Sequence, residues 1–387
     1  MVLDQGVLTE IASEGFGSGF RLVRFESRKE GKSAFQFASC FDKGTLTLDV
    51  DVVVKRQPLA PYRRELMMSD RQFHNEVVMY KELLPFIGAS HFAPTMYYGV
   101  ATGGEAPERD IVVLSYLAEY SVHRCGPVYL DLDHLKFVLA RLGHFHALSY
   151  NAKGRGLRVS SAKLQPVGMS DRNMDEHEFW LRDALMRGIK PLLSLPEYKA
   201  VLEKLIEKMG NMSALVNYLE SHEEPTALLC HGDFCSNNIV FKYNDRGVIE
   251  DVKFVDFQAS NYASPAMDLS FFLLLNTSAE LRAASWDDLL ETYLHSLFEN
   301  LTKASVAPTR EQILEEFSKR ALYGYLHCSF FLPVMLTGRS NDDEWDGSEA
   351  KELGGEECTE SIAHIMRFLL DRGYIDAFLQ NFTDKLL

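Results

Sequence analysis

Apolar and polar positions along the chain fall into two repeats, and these mark out the elements. Leu46, Leu48, Val50, Val52 and Val54 alternate with Thr47, Asp49, Asp51, Val53 and Lys55. This predicts a half-buried strand with Lys55 on the face of Val53. The next stretch switches to helical spacing, with Phe73, Val77, Tyr80, Leu83 and Leu84 on one stripe and Glu76 at its edge. Ser69 and Gln72 are placed to form a capping box at its start. Ile111–Leu114 reads as a buried strand. Leu132 to Tyr150 reads as an amphipathic helix through Leu132, Leu135, Leu139, Leu142, Phe145 and Leu148. After a loop-rich stretch from Gly154 to Glu176, helix is predicted around Phe179-Trp180-Leu181 and on to about Glu220, with a break from Gly188 to Pro196.

Two apolar runs, Leu228-Leu229-Cys230 and Ile239-Val240-Phe241, then flank a polar turn, His231-Gly232-Asp233-Phe234-Cys235-Ser236-Asn237-Asn238. They read as two strands holding a tight loop. A second polar tip ends the run Val252-Lys253-Phe254-Val255-Asp256-Phe257-Gln258, and the two tips are expected to sit on neighbouring hairpins. Ser264-Pro265 opens a helix. Trp286 to Leu301, Arg310 to Leu322, Ser361 to Leu370 and Ile375 to Phe382 complete the helical pattern, and the acidic stretch Gly338 to Glu357 reads as a solvated loop.

Composition narrows the classes. The 387 residues, 46% hydrophobic and 25% charged, suit a globular protein with a sizeable core. A net charge of −15 argues against a nucleic-acid backbone or an anionic membrane as partner. The start lacks a secretory pattern, and the run Leu269 to Leu275 is too short to span a bilayer, so a cytoplasmic location is expected. No obligate protein partner is evident. The six cysteines form no Cys-x-x-Cys pair, so neither zinc nor a disulfide framework is expected. His144 and His146 are two apart and cannot share a helix face, so both read as structural or surface residues.

The candidate chemistry lies at the polar tips. One Asp that orients a hydroxyl, with an Asn and a second Asp offering oxygens to Mg²⁺, is the minimal kit for phosphoryl transfer from a nucleotide. Asp233, Asn238 and Asp256 supply these groups. Upstream, Gly15-Phe16-Gly17-Ser18-Gly19-Phe20 permits backbone N–H groups to approach a phosphate. His231-Gly232-Asp233 with Asn238, followed by Val255-Asp256-Phe257-Gln258, resembles the aminoglycoside phosphotransferase and choline kinase group. The run from Val252 to Leu269, including Tyr262-Ala263-Ser264-Pro265-Ala266-Met267-Asp268-Leu269, resembles more closely one branch, the ecdysteroid kinase-like (CHK kinase-like) family.

That resemblance extends from about Gly15 to near the C-terminus and implies an α+β, bilobal, protein-kinase-like fold. A small antiparallel-sheet N-lobe (1–117) binds nucleotide, and a larger, mainly helical C-lobe (118–387) carries catalysis and the substrate pocket. It implies ATP and Mg²⁺ as cofactors and a hydroxylated small molecule, an ecdysteroid or xenobiotic alcohol, as substrate. Asp233 is the implied catalytic residue, and Asn238 and Asp256 the implied metal ligands. Lys55, paired with Glu76, is implied to hold the phosphates with Gly17, Ser18 and Gly19. Ser115 and Leu117 fall in the implied hinge that holds adenine through backbone groups. Asp268 is implied to tie its helix to the catalytic loop, and His231 reads as a brace of that loop. The sequence departs from protein kinases in having His-Gly-Asp for His-Arg-Asp, Asp-Phe-Gln for Asp-Phe-Gly, and no Ala-Pro-Glu segment. It also carries Cys235 where the family usually has an aromatic residue. A catalytically silent binding module on the same scaffold is the alternative reading.

Overall fold

The computed structural model describes residues 10–11, 14, 26–29, 40–46, 50–123, 125–126, 128–157, 163–172, 174–303, 305–338 and 352–382. The glycine-rich run, with Gly17, Ser18 and Gly19, lies outside them, as does most of the acidic stretch. The described strands are β1 (Glu26–Lys29), β2 (Cys40–Leu46), β3 (Val50–Arg56), β4 (Met96–Val100), β5 (Ile111–Ser115), β6 (Tyr120–Ser121), β7 (Leu228–Cys230), β8 (Ile239–Tyr243), β9 (Ile249–Phe254) and β10 (Asn261–Ala263). The chain divides into two compact units. The first is Met1–Val122 with Val159–Pro166 and Ile239–Ser260, and the second is His123–Arg158 with Val167–Asn238 and Asn261–Leu387.

The first unit is built on a five-stranded antiparallel sheet in the order β1-β2-β3-β5-β4. Val52 and Val54 of β3 bury on one face with Ile111 and Val113 of β5, Tyr98 of β4, and Ile11. The alternation from Leu46 to Lys55 is therefore not one strand. Leu46 closes β2 and pairs across the sheet with Val50, the first residue of β3. A period-two pattern reports which side chains share a face but not where the chain doubles back.

Between β3 and β4 run two helices, α1 (Pro61–Met67) and α2 (Ser69–Val78). Helix α2 continues through a π-turn, Met79–Leu83, into Leu84–Ile87. The extra residue of a π-turn rotates the helical turn after it, and Tyr80, Leu83 and Leu84 all stay buried. The cap differs from expectation. Met68, at φ 52°, is the N-cap residue, and Ser69 already belongs to the first turn and is buried. A small sheet, β6-β8-β9, completes this unit, with β8 and β9 as an antiparallel hairpin.

The second unit is mainly helical. Its helices are α3 (Leu132–Gly154), α4 (Met174–Ile189), α5 (Pro196–Lys208), α6 (Met212–Glu220), α7 (Ala266–Asn276), α8 (Ala279–Glu299), α9 (Arg310–Arg320), α10 (Leu322–Thr337), α11 (Gly355–Asp371) and α12 (Tyr374–Asn381). Asp131 caps α3 by accepting the His134 N–H, and the helix runs past Tyr150 to Gly154. Every residue of α7 is buried, as expected for a helix apolar all round. Helices α7 and α10 approach so closely that a Cβ on Gly324 would lie 2.5 Å from the Ser270 carbonyl oxygen. Helix α11 takes in residues 355–357 of the acidic stretch, so the expected loop ends sooner.

The polar turn after Cys230 is not the tip of a hairpin. β7 pairs with β10, whereas β8 pairs with β9. The small antiparallel sheet carrying one main helix, together with a helical unit, is the α+β, protein-kinase-like organisation expected.

Candidate active site

Lys55 lies on the face of β3 opposite Val52 and Val54, yet it is only 1% exposed. A buried ammonium requires anionic partners, and three oxygens surround it. Its Nζ is 2.6 Å from Asp256 Oδ1, 2.7 Å from Glu76 Oε2 and 2.9 Å from Gln258 Oε1. An ammonium has three N–H donors, so the cluster matches them in number. Glu76 sits within the buried stripe of α2 rather than at its rim. Asp256 follows β9 in the left-handed conformation, at φ 66° and ψ 62°. A non-glycine residue accepts that backbone only when its surroundings fix it. The turn Phe257–Ala259 then brings Gln258 back to Lys55. Phe257 anchors this turn edge-on to the Tyr80 ring, with centroids 5.6 Å apart.

Burial works against the charge on Lys55, but the Asp256 and Glu76 carboxylates outweigh it and raise its pKa above the usual value. Burial pushes the Glu76 carboxyl up to about 7, with Lys55 pulling down and the Asp256 charge pushing further up. Burial of two carboxylates beside one ammonium thus makes Glu76 easier to protonate than an ordinary glutamate. Its folded pKa lies above its ordinary 4.5. This contribution to stability is therefore complete below pH 4.5 and declines as pH rises toward 7. Glu76→Gln should flatten that decline, by at most about 1.4 kcal/mol per pH unit. Chemical denaturation across a pH series checks this, and equal slopes in both proteins would contradict it.

Ser115 donates its N–H to the Thr95 carbonyl at 2.8 Å and accepts the Thr95 N–H on Oγ at 3.0 Å. The Leu117 carbonyl accepts from the Tyr120 N–H at 2.9 Å.

In the second unit, the loop from His231 to Asn238 is held from several sides. Asp268, on the first turn of α7, accepts the His231 N–H on Oδ2 at 2.7 Å and the Gly232 N–H on Oδ1 at 2.8 Å. His146 of α3 lies 3.2 Å from the same Oδ2 through Nε2, and its Nδ1 is 2.8 Å from the Tyr293 hydroxyl. Asp268 is thus the tie between helix and loop that the sequence suggested. Burial opposes its charge, but the hydrogen bond and charge of His146, the charge of His231 and the Gly232 N–H together hold its pKa below the usual carboxylate range. Gly232 sits at φ 85°, a conformation open to glycine at little cost.

Asn238 Nδ2 donates to the Asp233 carbonyl at 2.8 Å and to Asp233 Oδ2 at 2.9 Å, bringing these two predicted residues together. Asn276, at the end of α7, ties the same loop to the segment before α3. Its Oδ1 accepts the Ser236 N–H at 3.1 Å, and its Nδ2 donates to Ser236 Oγ and to the Val128 carbonyl, both at 2.8 Å. Sequence reasoning missed Gln258, Asn276 and the link from His146 to Asp268. The one signal was a polar residue, His146, beside the apolar stripe of α3.

Residues 38–306 match the model of the ecdysteroid kinase-like family. Among solved structures, the chain is similar to the macrolide 2'-phosphotransferase MphH from Brachybacterium faecium. Identity is 14% and the TM-score 0.42, with 90% of this chain and 98% of that chain covered. It is also similar to an aminoglycoside phosphotransferase from Alicyclobacillus acidocaldarius, at 12% identity and a TM-score of 0.44, covering 99% and 96% of the two chains. For amicoumacin kinase hAmiN in complex with AMP-PNP, Ca²⁺ and Ami, the corresponding values are 12%, 0.46, 99% and 96%. None of the curated proteins gives a significant match.

Proposed function

Because the chain belongs to the ecdysteroid kinase-like family, we propose that it moves the γ-phosphate of ATP to a hydroxyl of a small molecule. An ecdysteroid or a xenobiotic alcohol is the acceptor class that the family name suggests. The observation that carries this reading is the buried set of Lys55, Glu76 and Asp256. A lysine in that setting serves as a preset contact for nucleotide phosphates, with the glutamate fixing its direction. A scaffold without chemistry has no physical need to bury an ammonium between two carboxylates, since such burial rarely adds stability.

Asp256 and Asn238 are the residues proposed to donate oxygens to a divalent cation. Asp256 offers a carboxylate at the end of β9, beside Lys55. Asn238 spends its amide nitrogen on Asp233, which makes its oxygen the atom with lone pairs to give. These are hard oxygen ligands of the kind Mg²⁺ takes. When bound, the cation would supply charge neutralisation on the phosphates. Asp233 accepts the acceptor's O–H, aims that oxygen at the γ-phosphorus and takes the proton late in transfer. A protein acceptor is disfavoured. The arginine that precedes the catalytic Asp in protein kinases is replaced by Gly232, whose φ of 85° would strain a side chain.

Mg²⁺-ATP at about 100 times its dissociation constant should stabilise the protein by about 2.7 kcal/mol. Asp256→Asn should lose most of that shift. A screen of hydroxylated steroids and plant alcohols with labelled ATP identifies the acceptor. A wild-type protein that shows neither the shift nor transfer to any alcohol would favour the silent binding module.

A further inference from the structure

The spacing of the six cysteines gave no hint of a metal, but the fold gathers ligands from one short stretch. Cys125 Sγ lies 3.4 Å from Asp131 Oδ2 and 3.4 Å from His134 Nδ1. His134 Nδ1 lies 2.7 Å from Asp131 Oδ1. One ligand atom from each residue falls within 4.8 Å of both others. In a tetrahedral zinc site with bonds of about 2.0–2.3 Å, neighbouring ligand atoms stand about 3.3–3.8 Å apart. Both sulfur separations fall in that interval, whereas the 2.7 Å from His134 Nδ1 to Asp131 Oδ1 is a hydrogen bond that metal binding would replace, with Asp131 ligating through Oδ2. We propose that Cys125, Asp131 and His134 form a binding site for a soft-to-borderline transition-metal cation, with Zn²⁺ as its occupant and one coordination position left for water.

Three features make this a built site rather than a chance meeting. First, the donor set is a thiol, a carboxylate and an imidazole, which together select Zn²⁺ over Mg²⁺ or Ca²⁺. Second, Asp131 divides its work. Oδ1 accepts the His134 N–H at 3.0 Å and so fixes the start of α3, while Oδ2 faces the cysteine sulfur. Asp131 and His134 are thereby held three residues apart on the first turn of a 23-residue helix. Third, Cys125 and Asp131 are exposed, so an ion can enter, whereas His134 is only 9% exposed and its ring is confined.

The cation would also stiffen something that matters. The segment between Cys125 and α3 is bonded to Asn276 twice, through the Val128 carbonyl and through the Leu130 N–H, which donates to the Asn276 carbonyl at 2.9 Å. Asn276 in turn holds Ser236 of the catalytic loop. A cation at Cys125, Asp131 and His134 therefore closes one end of a chain of contacts whose other end is that loop. The site does not depend on the kinase reading, because none of its three ligands is assigned to nucleotide or acceptor.

The test is cobalt substitution in chelator-treated, full-length protein. Wild-type protein should take up about one equivalent of Co²⁺. It should show a sulfur-to-cobalt charge-transfer band and the visible bands of a four-coordinate ion, both removed by added Zn²⁺. Cys125→Ser, a mild change at an exposed position, should abolish the charge-transfer band. It should also weaken Zn²⁺ binding by at least about 10-fold, as losing a direct ligand costs no less than losing a residue that supports one. His134→Gln should weaken Zn²⁺ binding without removing the charge-transfer band at high Co²⁺, since the cysteine remains. A wild-type protein with no charge-transfer band and no retained Zn²⁺ overturns the proposal. So does a band of full strength in Cys125→Ser, which would place the metal at another cysteine.

Discussion

Asp233→Ala is expected to lose about 10²–10⁴-fold in the rate of phosphoryl transfer, the usual contribution of a positioned general base. Its response to Mg²⁺-ATP in a thermal shift should be nearly that of the wild-type protein, because Lys55, Glu76 and Asp256 are untouched. The effect is large because the carboxylate is held in place. Asn238 Nδ2 bonds both the Asp233 carbonyl and Asp233 Oδ2, and the loop behind it is pinned at His231, Gly232 and Ser236. A base fixed this way delivers its oxygen to one place, and an alanine delivers none. Asp233→Asn keeps the shape and removes the charge, so it should fall nearly as far. Transfer at an undiminished rate in either variant would remove Asp233 from the mechanism.

Asp268→Asn is expected to cost both stability and rate. The carboxylate accepts from two backbone N–H groups and lies against His146, all in a site 1% exposed. An amide keeps one oxygen and turns an NH₂ group toward a donor, so at least one buried N–H loses its acceptor. Each such loss costs about 1–3 kcal/mol. Together with the lost charge facing His146, the total comes to about 3–5 kcal/mol. Denaturant titration reads this directly. The sign with pH is also fixed. Because the folded pKa of Asp268 is depressed, its contribution is complete above the ordinary carboxylate value and is lost as pH falls below it. The rate should drop by roughly 100-fold, since the loop that aims Asp233 would shift by a fraction of an ångström to about 1 Å. Wild-type stability in this variant would show that the tie is ornamental.

Much of the fold, and the placement of several candidate site residues on it, was legible from local pattern. Alternation around Val52 and Val54 placed β3 and put Lys55 on its other face. The stripe through Phe73 and Tyr80 placed the helix bearing Glu76. The polar interruptions after Cys230 and Val255 marked the two tips. Local pattern failed wherever a partner lies far along the chain. β7 and β8 looked like the arms of one hairpin because they are neighbours in sequence, but β7 finds β10. His146 and Asp268 meet across 122 positions, and Lys55 and Gln258 across 203. Periodicity records which face a residue shows, not which distant residue shows its face in return. The cap of α2 failed for a different reason. Met68 adopted a left-handed conformation, which has no sequence signature in a methionine.

The way the two units share the chain has a practical outcome. The smaller unit is assembled from a long leading stretch and two later excursions, Val159–Pro166 and Ile239–Ser260. The second excursion contributes β8, β9, Asp256 and Gln258. Cutting after Val122 would thus release a fragment whose lysine is stripped of two of its three oxygen partners. Halves expressed separately should be poor folders, and recombination between relatives should succeed only when crossover points respect this braid.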